Sequence, residues 1–187
     1  MTDSFLSRSE LQELGFRNFG ENVLVSRKAS IYSPGEISLG SNVRIDDFCI
    51  LSGKISVGSF VHISAYTALY GKFGIVLEDY VTVSGNVLIY SQSDDYSGRF
   101  MTNPMLPEGF SNVTGGQVTL KKHAIVAAGC IVFPGITLHE GAAAGAMSLV
   151  NKDIPEWSVY AGIPAKFIKE RHRDIIELEK RLSQTLR

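Results

Sequence analysis

The chain has 187 residues, of which 44% are hydrophobic and 20% are charged, with a formal net charge of -1 and a pI near 6.4. This length suits one domain with a sizeable core, and the balanced charge gives no overall basic surface for nucleic acid. There is neither a charged-then-apolar N-terminal segment nor an apolar run of about 18 residues. We therefore predict a single cytoplasmic domain without a membrane span, in which any anion site is a local cluster of cations.

Residues 1–21 are predicted to form a short helical cap. Ser7 precedes Glu10 by three residues, which is the spacing of a capping box. Leu11 and Leu14 form an apolar face, and Gly15 follows them as a helix stop.

From residue 22 to residue 154 the apolar residues repeat with a period of six, apart from a two-residue slip between Leu69 and Leu77 and a longer interruption after Ile89. The first inward position of each hexad is usually a large aliphatic residue. These positions are Leu39, Ile45, Leu51, Val57, Ile63, Leu69, Leu77, Val83, Ile89, Leu120, Val126, Val132, Leu138, Ala144 and Val150. A helix cannot keep a period of six on one face, whereas short strands joined by corners can. Three hexads make one triangular coil, so the pattern predicts an all-β solenoid of stacked parallel coils.

Both cysteines fall on the second inward position of the hexad, four residues after the large one. This position must be small or medium in size because it shares the crowded interior of the coil. We expect Cys49 and Cys130 to be packed thiols rather than a disulfide pair or a nucleophile.

Residues 94–113 interrupt the repeat with two prolines, two glycines and several aromatic residues. A loop of this length inside a compact domain is typically functional, and its aromatic content argues against disorder. We predict an ordered arm that reaches a neighbouring surface. After the coils, residues 155–187 are predicted to form a turn and a helix, with Ile168, Ile175, Ile176, Leu178 and Leu182 on one face between Ala165 and Leu186.

The stretch VTLKKHAIVAAGCIVFPGITLHEGAAAGAMSLVNKDIPEWSVYAGIPAKFIKER resembles the last coils of the hexapeptide-repeat acyltransferases. It is most similar to the maltose and galactoside acetyltransferase branch and its relatives in surface-polysaccharide gene clusters, over roughly residues 40–173. The resemblance implies a left-handed parallel β-helix that uses acetyl-CoA as co-substrate and no metal. It also implies a homotrimer with active sites between adjacent subunits, acting in lipopolysaccharide biosynthesis.

The resemblance assigns two small residues and a basic tail to acetyl-CoA. In the family, the backbone at Ala128 and Ala146 bonds the pantetheine amides, although small residues also suit tight turns. The cations of the tail either pair with the phosphates of acetyl-CoA or are merely solvated charges. The turn in the tail would bring the chain back over the cofactor. These tail residues are Lys152, Gly162, Pro164, Lys166, Lys169 and Arg171.

The acceptor end departs from the family pattern. Relatives that acetylate sugar hydroxyls carry a histidine where the loop leaves the coils, because an alcohol must lose a proton as it attacks. Hexad counting puts Asp94 there. A carboxylate suffices for an amine, so the sequence favours direct N-acetylation of a nucleotide-linked amino sugar, without an acyl-enzyme. O-acetylation of a saccharide is the alternative, and a non-catalytic scaffold is the second. A zinc-dependent solenoid is disfavoured because no histidines are closely paired.

Two histidines are candidates for a general base that Asp94 would orient. His62 is predicted at an outward corner and His123 on the outside of the first coil after the loop; either could instead be structural. The N–H groups of Gly115 or Gly116 are candidates for the oxyanion site. The expected sugar contacts are Ser64, Tyr66, Asp95, Tyr96 and Asn103, of which Asp95 and Asn103 equally suit turns.

Overall fold

The computed structural model describes residues 4–185. Its first element is helix α1 (Arg8–Leu14), with Ser7 and Glu10 closing the capping box and Gly15 ending the helix at φ 80°. Leu11 is buried against the first coil. The predicted N-terminal cap is therefore confirmed.

The rest of the chain up to residue 170 is built from short strands. They are β1 (Asn18–Phe19), β2 (Val23–Val25), β3 (Ser30–Tyr32), β4 (Ile37–Leu39), β5 (Val43–Ile45), β6 (Ile50–Val57), β7 (Val61–Ile63), β8 (Ala68–Leu77), β9 (Thr82–Val83), β10 (Leu88–Tyr90), β11 (Gln92–Asp94), β12 (Val113–Gly115), β13 (Val118–Leu120), β14 (Ile125–Val126), β15 (Ile131–Val132), β16 (Thr137–Leu138), β17 (Ala143–Ala144), β18 (Leu149–Val150), β19 (Ser158–Ala161) and β20 (Lys166–Glu170). A 3₁₀ turn (Pro34–Glu36) interrupts the first coil.

Parallel pairing of these strands produces a prism with three faces. Face A contains β1, β4, the second halves of β6 and β8, β13 and β16. Face B contains β2, β5, β7, β9, β14, β17 and β19. Face C contains β3, the first halves of β6 and β8, β10, β15 and β18. We call the corners between them the A–B, B–C and C–A edges. The predicted solenoid is confirmed.

The six-residue period arises because each strand is short and each corner is sharp. Many corners contain a residue in the left-handed region, and most of these are not glycine; at the B–C edge they are Phe48, Tyr66, Asn86, Gly129 and Met147. Isolated left-handed residues are uncommon outside glycine, so regular stacking has to hold them there. The large hexad residues fill the interior, where Leu51, Leu69 and Leu120 have no exposed surface.

Cys49 and Cys130 are both fully buried in this interior as free thiols, as predicted. Their sulfur atoms donate hydrogen bonds to the carbonyl oxygens of Ser64 and Gly145. Burial raises the pKa of both thiols, which removes them from nucleophilic chemistry near neutral pH.

The C-terminal segment differs from the prediction. Residues 166–170 form β20, which pairs antiparallel with β19, and helix α2 (Ile175–Thr185) begins only afterwards. Ile168 therefore lies on an exposed strand rather than on the helix, because the turn after Ala161 folds the chain back along face B. The predicted end of the helix at Leu186 lies outside the described residues. No helix in the described part of the chain is long and apolar enough to span a membrane.

Candidate active site

The B–C edge is lined by a column of small and polar residues. Ile63, Val83, Val126 and Ala144 are in register on face B, so the residues that follow them also stack. From the N-terminal to the C-terminal coils, the column reads Ser64 and Ala65, then Ser84 and Gly85, Ala127 and Ala128, and Gly145 and Ala146. Together they make a strip of small residues along the edge across several coils, next to the larger corner side chains of Phe48, Tyr66 and Met147.

Ala128 and Ala146 are exposed on successive coils of this edge. Their amide N–H groups have no hydrogen-bond partner among residues 4–185. Adjacent coils lie about 4.8 Å apart, so these donors form an evenly spaced row along the prism. The predicted pair is therefore brought together with free backbone donors, which suits an extended chain that contains amides.

Buried side chains hold the turns of this edge in place. Cys49 donates to the carbonyl of Ser64, Thr67 to that of Ser84, and Cys130 and Ser148 both to that of Gly145. These side chains occupy the second inward position of face C hexads. Because they fix the turn carbonyls from inside, the edge is a preorganised surface rather than a row of loose corners.

The end of the same edge carries part of the predicted basic tail. Gly162 donates its N–H to Ser148 Oγ at 3.0 Å, and its carbonyl accepts from Leu149 N at 3.0 Å. Lys166 pairs with Ala161 across the turn that contains Pro164, and it is exposed beside the edge. Lys152 follows β18 at the C–A edge, so face C separates it from Ala146 in one protomer.

Arg171 is not available for the predicted phosphate contact. Its Nη1 donates to the carbonyl oxygens of His123 at 2.9 Å and Gly141 at 2.8 Å. Both carbonyls belong to the A–B edge, on the other side of face B from Ala128. Burial lowers the pKa of Arg171 from its ordinary value, and its Nη1 joins two carbonyl groups of the A–B edge.

His123 also lies on the A–B edge, which contradicts its predicted outward position. Its side chain is 7% exposed, and its ring stacks on Tyr80 with centroids 5.0 Å apart. Nε2 lies 2.8 Å from the Glu179 carboxylate of helix α2, and Trp157 packs on the other side. The sequence predicted His123 on the outside of its coil, because hexad counting could not foresee that helix α2 covers this edge. We assign His123 a packing role.

His62 is more accessible, although it lies in the middle of β7 on face B rather than at a corner. Its Nε2 is 2.8 Å from Asp46 Oδ2 and 3.5 Å from Ser64 Oγ. Burial of Asp46 acts to raise its pKa, but hydrogen bonds from His62 and Arg44 outweigh it, so the pKa is lowered. This polar group lies beside the N-terminal end of the B–C column, and the carboxylate fixes the imidazole orientation.

The predicted arm emerges from the C–A edge as two antiparallel strands. Asp94 of β11 pairs with Val113 of β12, and Gln92 pairs with Gly115. Asp94 is exposed and faces a cavity of about 550 Å³ between the arm and face C. Its walls are Tyr90, Gln92, Ser93, Asp94, Tyr96, Val113, Ile131, Phe133 and Pro134. Binding pockets for small molecules have volumes of this order.

The root of the arm is fixed by the buried side chain of Ser91. Its Oγ donates to Tyr70 O at 2.8 Å and accepts from Phe73 N at 2.9 Å. Phe73 belongs to the two-residue slip in the hexad pattern, so the slip supports the arm. Gly116 N donates to Ser91 O at 3.0 Å. The predicted use of the Gly116 N–H as an oxyanion donor is therefore wrong, because this group is already bonded.

The other loop residues divide between turns and solvent. Asp95 accepts a hydrogen bond from Ser97 N, and Asn103 accepts one from Met105 N, so both have the turn-forming role that the sequence left open. Hydrogen bonds from the Ser97 side chain and backbone, and from Asn112, lower the pKa of Asp95. Tyr96 is 88% exposed, and Tyr66 is 62% exposed and stacks on Phe48 at the B–C edge.

Known proteins are similar to this chain in both sequence and fold. The chain is 45% identical over 179 residues to dTDP-4-amino-4,6-dideoxy-D-glucose acyltransferase of Escherichia coli, which covers 94% of this chain and 93% of that protein. This chain is a hexapeptide-repeat sugar acyltransferase. No protein-family model matches it.

Solved structures agree with this family membership. AntD, an N-acyltransferase from Bacillus cereus solved with dTDP and 3-hydroxybutyryl-CoA, is 48% identical, with a TM-score of 0.95 and 99% of each chain covered. The S84A variant of AntD has been solved with dTDP-4-amino-4,6-dideoxyglucose and coenzyme A, and its D94N variant with dTDP and coenzyme A. The acetyltransferase domain of PglB from Neisseria gonorrhoeae shares the fold alone, with 16% identity and a TM-score of 0.61.

For this acyltransferase, sequence reasoning missed three polar residues near the candidate site. Ser84 occupies the same hexad place as Ser64, so counting forward from Ser64 could have found it. Asp46 meets His62 only because successive coils stack. Gln92 belongs to the arm, where the repeat no longer indicates side-chain direction.

Proposed function

We propose that this acyltransferase transfers acetyl from acetyl-CoA to the amino group of dTDP-4-amino-4,6-dideoxyglucose or a closely related nucleotide-linked amino sugar. The observation that carries the proposal is a carboxylate, Asp94, in the arm cavity where sugar O-acetylation would require a stronger base. The full-length similarity to the E. coli enzyme and to AntD supports the same acceptor. This chain also has a serine and an aspartate at positions 84 and 94, the numbers altered in AntD.

In the proposed reaction, the lone pair of the sugar nitrogen attacks the thioester carbonyl directly. The C–N bond forms, the C–S bond breaks, and the proton lost by nitrogen ends on the CoA thiolate. Asp94 holds the amine and takes up its proton during the attack. Ala128 and Ala146 hold pantetheine along the B–C edge through their free N–H groups, and Lys166 faces the CoA phosphates.

We propose that the complete site forms between copies of the chain in a homotrimer. Asp94 lies at the C–A edge and the CoA column at the B–C edge, so face C separates them within one protomer. A neighbouring copy would bring its column against the arm, with Ser64, Tyr66 and Ser84 beside the sugar. Lys152 could then reach a cofactor on the neighbouring copy. The proposed location is the cytoplasm, and the proposed role is in surface-polysaccharide (lipopolysaccharide) synthesis.

Thiol release from acetyl-CoA tests the activity, with dTDP-4-amino-4,6-dideoxyglucose compared with its 4-hydroxyl analogue. We expect turnover with the amine and little with the alcohol, and a preference for the alcohol would overturn the proposal. Asp94→Asn should lower kcat by about 100-fold, within the usual range for a general base, and leave CoA binding by calorimetry unchanged. His123→Gln is the matched variant outside the proposed site and should retain turnover.

A further inference from the structure

One side chain in the arm cavity lacks a hydrogen-bond partner. Among residues 4–185, Gln92 Oε1 is the only buried side-chain oxygen or nitrogen that is unbonded. No other atom of the Gln92 amide bonds to a described side chain or loop backbone. Buried acceptors are nearly always satisfied in native proteins, and Gln92 lines the cavity, so this exception indicates a bound group that supplies the donor once the amide turns towards it.

The surroundings of Gln92 restrict what that group is. Gln92 and Asp94 are two residues apart in β11, so their side chains lie on the same face of the arm. Val113 lies opposite Asp94, and Ile131 and Phe133 form the apolar wall contributed by face C. The cavity therefore combines one carboxylate, one amide without a partner and an apolar wall, together with the hydroxyl-bearing side chains of Tyr90, Ser93 and Tyr96.

We infer that Gln92 selects the sugar by accepting a hydrogen bond from the hydroxyl next to the reacting amine. The inference rests on the proposed function, in which Asp94 holds the 4-amino group. In a 4-amino-4,6-dideoxy sugar, the 3-hydroxyl is one neighbour of that amine, and the carbon bearing the 6-methyl is the other. A donor for Gln92 on one side and a methyl for the apolar wall on the other match the cavity.

The competing assignment for Gln92 is the acyl group of the donor. A hydroxyl on the acyl chain would offer the same hydrogen bond as the sugar hydroxyl. The sugar is favoured because Gln92 adjoins Asp94 on the arm, whereas the row of free N–H groups for pantetheine lies on the B–C edge. Comparison of acceptors and donors separates the two assignments.

The test is Gln92→Met, which keeps the length of the side chain and removes the amide. Wild type should use dTDP-4-amino-4,6-dideoxyglucose roughly 10- to 100-fold better in kcat/KM than its 3-deoxy analogue, as expected for one hydrogen bond in a partly open site. Gln92→Met should lose most of this preference. Gln117→Met, a glutamine outside the cavity, should retain it.

Two further measurements distinguish sugar recognition by Gln92 from a structural role and from a contact with the acyl donor. The melting temperature of Gln92→Met without ligand should equal or exceed that of wild type, because an unpaired buried acceptor is removed; a clear decrease would show that Gln92 is structural. If the variant instead changes the preference between acetyl-CoA and 3-hydroxybutyryl-CoA, Gln92 contacts the donor and the inference is wrong. If the wild-type protein acetylates no amino sugar, the proposed function is refuted. If the wild type is active but Gln92→Met keeps the same preference for the 3-hydroxyl sugar over its 3-deoxy analogue, only the role of Gln92 is refuted.

Discussion

The root of the arm offers a sharp test of whether the placement of Asp94 controls turnover. A Cβ added at Gly115 would lie 2.1 Å from Ser91 O, 2.6 Å from Phe73 Cδ2 and 3.0 Å from Gln92 Cα. The oxygen belongs to the backbone at the root of the arm, directly before β11, so it cannot rotate away as a side chain could. Gly115→Ala therefore has to displace the arm by about 1 Å to restore ordinary contact.

A displacement of that size acts on the chemistry more than on the fold. Misplacing a reacting group by about 1 Å lowers rates by up to roughly 100-fold, which corresponds to about 2.7 kcal/mol in the barrier. Overpacking of this kind lowers the free energy of unfolding by about 1–3 kcal/mol, and the coils should remain folded. We expect Gly115→Ala to lose 10- to 100-fold in kcat/KM for the amino sugar, with CoA affinity nearly unchanged.

Thiol release gives the rate, calorimetry gives CoA affinity, and circular dichroism checks the solenoid. Gly35→Ala is the matched control, because the nearest atom to its added Cβ is 3.9 Å away. A folded Gly115→Ala protein with turnover within twofold of wild type would refute the idea that the arm root positions Asp94. An equal loss in Gly35→Ala would show that the effect is not specific to the arm.

Three other consequences are open to measurement. Ala146→Trp fills the exposed B–C edge, so CoA affinity by calorimetry should fall at least about tenfold; unchanged affinity would place the cofactor elsewhere. Burial of Glu179 acts to raise its pKa, but the hydrogen bonds from Lys122 and His123 together outweigh burial, so the pKa is lowered on folding. The ionised carboxylate therefore stabilises the fold above its unfolded pKa near 4.3, and this stabilisation is lost as the pH falls through the folded pKa. Glu179→Gln should therefore melt about 2–4 °C below wild type at pH 7, with the gap closing towards pH 3, and a gap independent of pH would contradict the ionised pair. Cys49 and Cys130 should react with a thiol reagent only on unfolding, and rapid labelling of the native protein would contradict their burial.

The candidate site was predicted unevenly from the sequence. Ala128, Ala146 and Asp94 were located by counting hexads, because each hexad place has a fixed direction on the prism. The same counting placed His123 on the outside of its coil but could not show Glu179 covering it, since 56 residues separate the two along the chain. Arg171 failed for a similar reason: its partners are carbonyl groups, which no residue pattern encodes.

The sequence by itself determined the solenoid, its inward residues and the place where the arm interrupts it, because a period of six sets side-chain direction locally along every coil. Only the tertiary structure decided which edge is open and which is closed. The fold-back of β20 and the position of helix α2 cover the A–B edge, while the B–C edge keeps its free N–H groups. The tertiary structure also revealed the hydrogen bonds by which Ser91 fixes the root of the arm, and the unpaired amide of Gln92. These features depend on contacts between segments far apart in sequence, and stacking of the coils brings those segments together.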